Sequence, residues 1–475
     1  RSRGEREVEL TEAFTEAGFA GFERRRLERL RFVILTLYHE KFKDLPVAFA
    51  PSRLSDTLGE TISRAGLRQL RVAESEKFAH VTFFLDGGRA GAFPGEETVR
   101  VPSPRGVPFE QVPGLRAEAV AGEVERGLAA GYDFIAVNFA NGDVIGHTAS
   151  FEAKVAAAEA VNAALARVAQ AAQAAGYAVL VTADHGNLEE AYKPDGSPHV
   201  AHTANQVPFA VLDDLGGRSP PGRPRDGRLA DVAPTVLEAL GLARSAAMTG
   251  SSLLPDHDWG GRRRVLLVVL DGWGLGKDDA RNPIFAARTP YWDRLLRERS
   301  FSRLDASGGA VGLGEGKPGN SEAGHMNIGA GRVVPQDDLR LDAALEDGSF
   351  ARNEAFAEAI DAARAAGRRL HLIGLLSERS SHGSIEYPLA IARMAKERGL
   401  AEVYLHLILD GRSTEPGSAP AMLESLGRRL EEIGAGLAVT VVGRGVALDR
   451  GGDYGKIKRA YEALVLGVGR KAGIS

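Results

Sequence analysis

Two stretches of this chain set a carboxylate and an imidazole just where a run of apolar residues stops. Thr182-Ala183-Asp184-His185-Gly186-Asn187 follows the run Tyr177 to Val181, and Asn141-Gly142-Asp143-Val144-Ile145-Gly146-His147-Thr148 follows the run Asp133 to Asn138. His202, in Ala201-His202-Thr203, stands shortly before a third strand-like run, Val207 to Leu212. Carboxylate oxygen and imidazole nitrogen are ligands for divalent ions, and loops at the carboxyl ends of buried strands are where an α/β sheet gathers its ligands. Asp143 and His147 are four residues apart and share a face if that turn is helical. Taken alone, Asp184-His185 leaves two readings open, a metal site or a loop pair that caps the following helix. A lone histidine such as His202 is more often a satisfied side chain than a ligand. Five such residues in loops beside three strand-like runs favour a metal site.

The second half of the chain adds a nucleophile and cations. Asp271 ends the apolar run Val265 to Leu270 and is followed by Gly272-Trp273-Gly274, a context like those of Asp143 and Asp184. Ser321 lies in the glycine-rich stretch Gly319 to Arg332, where backbone amides are free to face a phosphate. It is either a turn serine or a nucleophile whose hydroxyl a metal activates. Arg3, Arg6, Lys77, Arg412, Arg444 and Arg450 occupy polar loops, and His382 falls in the same category. Guanidinium forks match carboxylate and phosphate oxygens, so several at loop ends suggest a small, multiply anionic substrate.

These residues need a scaffold. With 475 residues, 44% of them hydrophobic and 26% charged, the chain is long enough for two globular domains with full cores. A net charge of -4 argues against a general nucleic-acid binder. The absence of cysteine removes disulfides, thiolate metal sites and cysteine nucleophiles, so any metal must use oxygen and nitrogen. The longest apolar run is too short to span a bilayer, and the charged start Arg1 to Glu9 is no signal peptide, so a cytoplasmic location is expected. Glycine, 57 residues against an average near 7%, is spread through short loops, which suits an α/β protein. A helix is expected over Phe151 to Ala175, capped by Ser150 and stopped by Gly176, between two strands, the βαβ unit of a largely parallel sheet. A second α/β series follows residue 335. Its strands are expected at Leu370 to Leu376, Val403 to Leu409 and Ala438 to Val442, with helices at Asn353 to Ala366, Tyr387 to Glu397 and Ala419 to Ile433. Residues 255 to 264 read as a polar linker whose basic triplet Arg262-Arg263-Arg264 is solvated.

Taken together, Leu270 to Gly274, Gly319 to Arg332, Ala73 to Thr82, Asn138 to Thr148, Thr182 to Asn187 and Ala201 to Thr203 resemble one family over nearly the whole chain. That family is the cofactor-independent (2,3-bisphosphoglycerate-independent) phosphoglycerate mutases of the alkaline phosphatase superfamily. The resemblance implies an α/β fold with two domains, an alkaline-phosphatase-like doubly wound sheet and a smaller α/β transferase domain. It implies two divalent metal ions, Mn2+ above others, and no bisphosphoglycerate. One ion would be held by Asp143, His147 and His202, the other by Asp271, Ser321, Asp184 and His185. Ser321 would become phosphoserine, with Lys77 stabilising the transferred oxygens. His382, Arg412, Arg444, Arg450, Arg3 and Arg6 would hold phosphoglycerate, and domain closure would exclude water. A cytoplasmic monomer with a small-molecule substrate, and neither nucleic acid nor membrane as partner, is the matching expectation.

The family opens with the Asp-Gly-Trp-Gly strand and serine loop and places the Asp-His-Gly-Asn block near its end, whereas here that order is rotated. A circular permutation with its joint near 255–264, or a partial or misassembled gene, gives this order. Residues 50–335 would then form the phosphatase-like domain in one piece, and 336–475 with 1–49 the transferase domain, lacking a segment and exposing a sheet edge. Where the family has Asp-Gly-Arg-Asp, this chain reads Asp410-Gly411-Arg412-Ser413, and serine cannot replace a carboxylate as acid/base. The expected activity is interconversion of 3- and 2-phosphoglycerate, with a metal-dependent phosphohydrolase or an inactive metal-binding relic as alternatives.

Overall fold

Runs of six or seven residues rich in Val, Ile, Leu and Phe, bounded by Gly and Asp, suit strands and are too short for typical helices. In the computed structural model, which describes residues 6–50, 54–213, 222–298, 301–378, 380 and 383–471, they form the centre of an eight-stranded sheet. Its strands are β1 (Gln69–Glu74), β2 (Glu96–Val101), β3 (Phe134–Phe139), β4 (Tyr177–Thr182), β5 (Val207–Leu212), β6 (Gly227–Arg228), β7 (Arg264–Leu270) and β8 (Phe301–Asp305). They lie in the order β2-β1-β3-β7-β4-β5-β8-β6. The first five positions are parallel, and β5 runs antiparallel to both β4 and β8. Every residue of β3 and β4 is buried, the mark of a sheet covered on both faces.

Helices α1 (Ala117–Ala129), α2 (Asn141–Gly146) and α3 (Phe151–Ala174) follow the strand order. In α3, Val161, Leu165, Val168 and Ala172 are buried, Ser150 Oγ accepts a hydrogen bond from the Ala153 amide at 3.1 Å, and Gly176 follows at φ +80°. A further helix, α4 (Ser321–Ala330), is capped by Asn320, whose side chain accepts from the Ala323 amide at 2.9 Å.

The chain divides into two compact units, Ser52–Pro335, which holds this sheet, and Arg1–Pro51 with Gln336–Ser475. The latter contains three parallel strands, β9 (Leu370–Leu376), β10 (Val403–Leu409) and β11 (Leu437–Gly443), and a separate parallel pair, Ile34–Thr36 with Val47–Phe49. Its helices include Glu354–Ala365, Glu386–Glu397 and Ala419–Ile433. Asn353, expected inside the first of these, is its cap, because its side chain accepts the Ala355 amide at 3.1 Å. β9 and β11 are the edges of the three-stranded sheet, and Leu437, Val439 and Val441 of β11 are exposed.

The expected polar linker is not one. Trp259 is 5% exposed, Arg262 pairs with Asp133 at 2.6 Å, and Arg263 pairs with the buried Asp213 at 2.5 Å. Arg264 opens β7; Arg262 and Arg264 are exposed, as expected, and Arg263 is the one drawn in, against Asp213. Among the described residues, no helix is long and apolar enough to cross a membrane.

Candidate active site

Strand register places the site. β7 lies between β3 and β4, with Leu270 beside Phe139 and Val269 beside Thr182, so Asp271, Asp143 and Asp184 leave the sheet at the same edge. The loops touch closely. Gly272 has φ +71°, and a Cβ there would sit 2.6 Å from the Asp143 backbone nitrogen, so only glycine permits the approach. Helix α4 seats against the Asp184 loop in the same way, since a Cβ on Gly324 would lie 2.5 Å from the Asp184 carbonyl oxygen.

Ser321 is the first residue of α4, buried at 6% exposure, at the end of the helix whose dipole favours negative charge. Its Oγ lies 2.7 Å from Lys77 Nζ, 2.9 Å from His185 Nε2 and 3.1 Å from Asp271 Oδ1. Lys77 follows β1 and spends all three ammonium hydrogens here, donating also to Asp143 Oδ2 at 2.7 Å and Asp271 Oδ1 at 2.6 Å. Burial would lower its pKa, but Asp143, Asp271 and Asp184 outweigh that and raise it. Conversely, burial would raise the carboxyls of Asp143 and Asp271, yet Lys77 and the neighbouring histidines hold both well below the usual range.

Three histidines present the same face. The Nδ1 atoms of His147, His202 and His185 lie 2.8, 2.8 and 3.1 Å from the carbonyl oxygens of Val200, Gly319 and Gly186. A carbonyl accepts, so each Nδ1 carries the hydrogen and a neutral ring leaves Nε2 as a ligand. The Nε2 atoms of His147 and His202 approach Asp143 Oδ1 at 3.2 and 3.0 Å and each other at 3.1 Å. Burial would depress His185, but Asp184, Asp271 and Asp143 push it up to about 10, and the hydrogen bond to Asp143 raises His147.

Two of the three carboxylates bond the ammonium, whereas Asp184 Oδ2, fully buried, accepts no hydrogen bond and has the His325 ring Nδ1 3.2 Å away. Such an oxygen is costly unless a cation completes it. The donor atoms gather as Asp143-His147-His202, Asp143-His185-Asp271 and Asp184-Asp271-His325, each set within 4.8 Å, so these oxygen and imidazole donors fit divalent metal ions. All seven residues assigned to metals from the sequence, and Lys77, meet here.

The other unit gathers cations. Burial lowers the pKa of Arg6, and the charges of Arg450, Arg444 and Arg412 add to it, so Arg6 is repelled by these three guanidinium groups. Arg444 bonds Asp410 through Nη1, while its buried Nη2 has no partner. Arg3 and His382 lie outside the described residues. Two residues beside the metal set went unread in the sequence. His325 stands four after Ser321, one helical turn on, and Asn138 is the single polar residue of β3. Both positions were signals.

Residues 19–244 match the Metalloenzyme superfamily, and residues 341–474 match the family described as the BPG-independent PGAM N-terminus. A 2,3-bisphosphoglycerate-independent phosphoglycerate mutase of Salinibacter ruber is 50% identical over 254 residues, 53% of this chain and 48% of the relative. The protein of that name from Moorella thermoacetica is 47% identical over 254 residues, with the same two shares. This chain thus spans about half the length of the curated relatives it matches. A solved Leishmania mexicana phosphoglycerate mutase is 28% identical, covering 51% of this chain and 47% of that one at a TM-score of 0.42.

Proposed function

We propose that this chain is a cofactor-independent phosphoglycerate mutase, interconverting 3- and 2-phosphoglycerate through phosphoserine at Ser321. The observation that carries the reading is the setting of Ser321 Oγ, within 3.1 Å of Lys77, His185 and Asp271 in a buried cluster of metal donors. Asp143, His147 and His202 would hold one divalent ion, and Asp271, Ser321, Asp184 and His185 the other, Mn2+ in both cases. When bound, such ions lower the hydroxyl pKa and offset charge on the transferred phosphoryl group. The chain's own residues do the rest. Ser321 Oγ gives up its proton and forms the new bond to phosphorus as the bond to the glycerate oxygen breaks and that oxygen takes up a proton, and the reverse transfer to the other glycerate hydroxyl, with the protons exchanged in the opposite sense, completes the isomerisation. Lys77 donates to the same oxygens, and the α4 amides favour the phosphoester's charge.

Arg6, Arg412, Arg444 and Arg450, with Arg3 and His382, hold phosphoglycerate in this reading. The repulsion that Arg6 feels from Arg450, Arg444 and Arg412 supports it, because a multiply charged anion relieves it. We assign residues 50–335 to the phosphatase-like domain, and 336–475 with 1–49 to the transferase domain. The compact units support that division, and the match of an N-terminal family segment to residues 341–474 supports a circular permutation. We place the protein in the cytoplasm as a monomer.

A phosphohydrolase is the second reading, favoured by Ser413. The nearby Asp410 is buried and held below the usual carboxylate range despite that burial, by its bonds to Ser413 and Arg444, so it is a poor substitute base. Incubation with Mn2+ and 3-phosphoglycerate, following 2-phosphoglycerate and free phosphate, separates the two. Isomer formation is the expected result. Phosphate alone would sink the mutase reading in favour of the hydrolase, and neither product would leave the metal-binding relic.

A further inference from the structure

Asn138 and His325 are both fully buried, and neither belongs to the metal sets proposed above. Asn138 Nδ2 lies 2.6 Å from Asp271 Oδ2 and 3.0 Å from His325 Nε2. The amide orientation is forced, because its oxygen at that distance from a carboxylate would oppose two acceptors. Both amide hydrogens are therefore committed, one to Asp271 and one to the imidazole. His325 Nδ1 lies 2.9 Å from the Ser321 carbonyl oxygen and 3.2 Å from Asp184 Oδ2. Facing two acceptors, Nδ1 carries the ring hydrogen, and Nε2 accepts from Asn138. With both nitrogens engaged, His325 has no lone pair left for a metal ion, although it lies within reach of Asp184 and Asp271.

We infer that Asn138 and His325 form a hydrogen-bonded bridge that positions Asp271, Asp184 and Ser321 for the metal ion these three share, an inference that rests on the function proposed above. The bridge fixes which oxygen of Asp271 does what. Oδ2 is held on Asn138, so Oδ1 turns to Lys77 at 2.6 Å and Ser321 Oγ at 3.1 Å. At its other end the imidazole sits beneath Asp184 Oδ2 and holds the backbone of the residue carrying the nucleophile. Asp143, His147 and His202 receive nothing from the bridge. Its removal therefore discriminates between the two ion sites, which a general loosening of the fold cannot do.

The test is titration of the metal-free full chain with Co2+ alone, reading stepwise affinities from visible absorption and from competition with a chromophoric chelator. Asn138→Ala is expected to weaken one of two Co2+ sites by about 10- to 100-fold and leave the other unchanged. His325→Ala should weaken the same site, and the double variant should be no worse than the poorer single one, since either change breaks the whole bridge. Should Asn138→Ala fail to fold, Asn138→Ser replaces it in the same titration. Equal weakening of both sites, no weakening, or additive losses would each overturn the inference. Because the readout is Co2+ affinity, a chain that binds two ions but forms no 2-phosphoglycerate would defeat the functional reading and leave the bridge intact.

Discussion

Lys77→Met tests the electrostatics of the site most sharply. Methionine keeps the volume of the lysine stem and removes its charge. In the native site that charge sits 2.7 Å from Asp143 Oδ2 and 2.6 Å from Asp271 Oδ1, all three side chains being at most 10% exposed. Breaking a buried pair from one side leaves the other charge uncompensated, at a cost of roughly 3–5 kcal/mol. For a unit of this size each kcal/mol lowers the melting temperature by about 2–4 °C, so the metal-free variant should melt roughly 6–20 °C lower. Divalent ions bound to the same carboxylates supply the missing positive charge, so with Mn2+ the deficit should shrink to a small part of that value. Loss of a donor to the transferred oxygens should also lower kcat by about two to three orders of magnitude. Scanning calorimetry of both proteins, in chelator and in Mn2+, gives the answer. An equal deficit under both conditions, or none in chelator, would refute the idea that Lys77 and the metal ions balance the same carboxylates.

Three further outcomes follow from named contacts. Gly324→Ala should cut turnover at least tenfold with little change in KM, since the new Cβ must push α4 and Ser321 off the Asp184 carbonyl 2.5 Å away; turnover at the native rate would show that the α4 seat does not position Ser321. Asp86 is buried beside Arg71, and burial pushes its carboxyl up from 3.8 to about 7 in the folded protein. The folded state thus keeps a proton that the unfolded chain releases, so stability should fall as pH rises through that window, by on the order of 4 kcal/mol, and Asp86→Asn should flatten the slope in urea unfolding. Parallel profiles for variant and native protein would contradict this. Arg444→Met removes a buried, partly unpartnered guanidinium and should raise KM for 3-phosphoglycerate about 10- to 100-fold, so an unchanged KM would remove Arg444 from the substrate site.

Much of the scaffold was written locally. The apolar runs that became β3, β4, β5, β7 and β10 each meet an Asp or Asn within two residues of an end, and α3 carries its cap and stop in Ser150 and Gly176. Asp143, Asp184 and Asp271 were recognisable as carboxylates at strand ends. What local pattern cannot hold is pairing. β7 inserts between β3 and β4 although more than a hundred residues separate it from β3, and only that insertion brings Asp271 to Asp143. The same limit hid the antiparallel β5, whose six buried residues read alike in either direction. Residues 255–264 read as a linker because they are polar, yet Asp133 and Asp213, distant in sequence, pair with Arg262 and Arg263. Asn138 and His325 went unread because an amide and a ring gain meaning only from the groups they face.

The most direct measurement is the site of covalent phosphorylation during turnover. Chain loaded with Mn2+, mixed with 3-phosphoglycerate, acid-quenched and digested should yield a phosphorylated peptide whose modified residue is Ser321, and Ser321→Ala should yield neither phosphopeptide nor 2-phosphoglycerate. Turnover that persists in Ser321→Ala, or a phosphoryl group found only on another residue, would contradict the account.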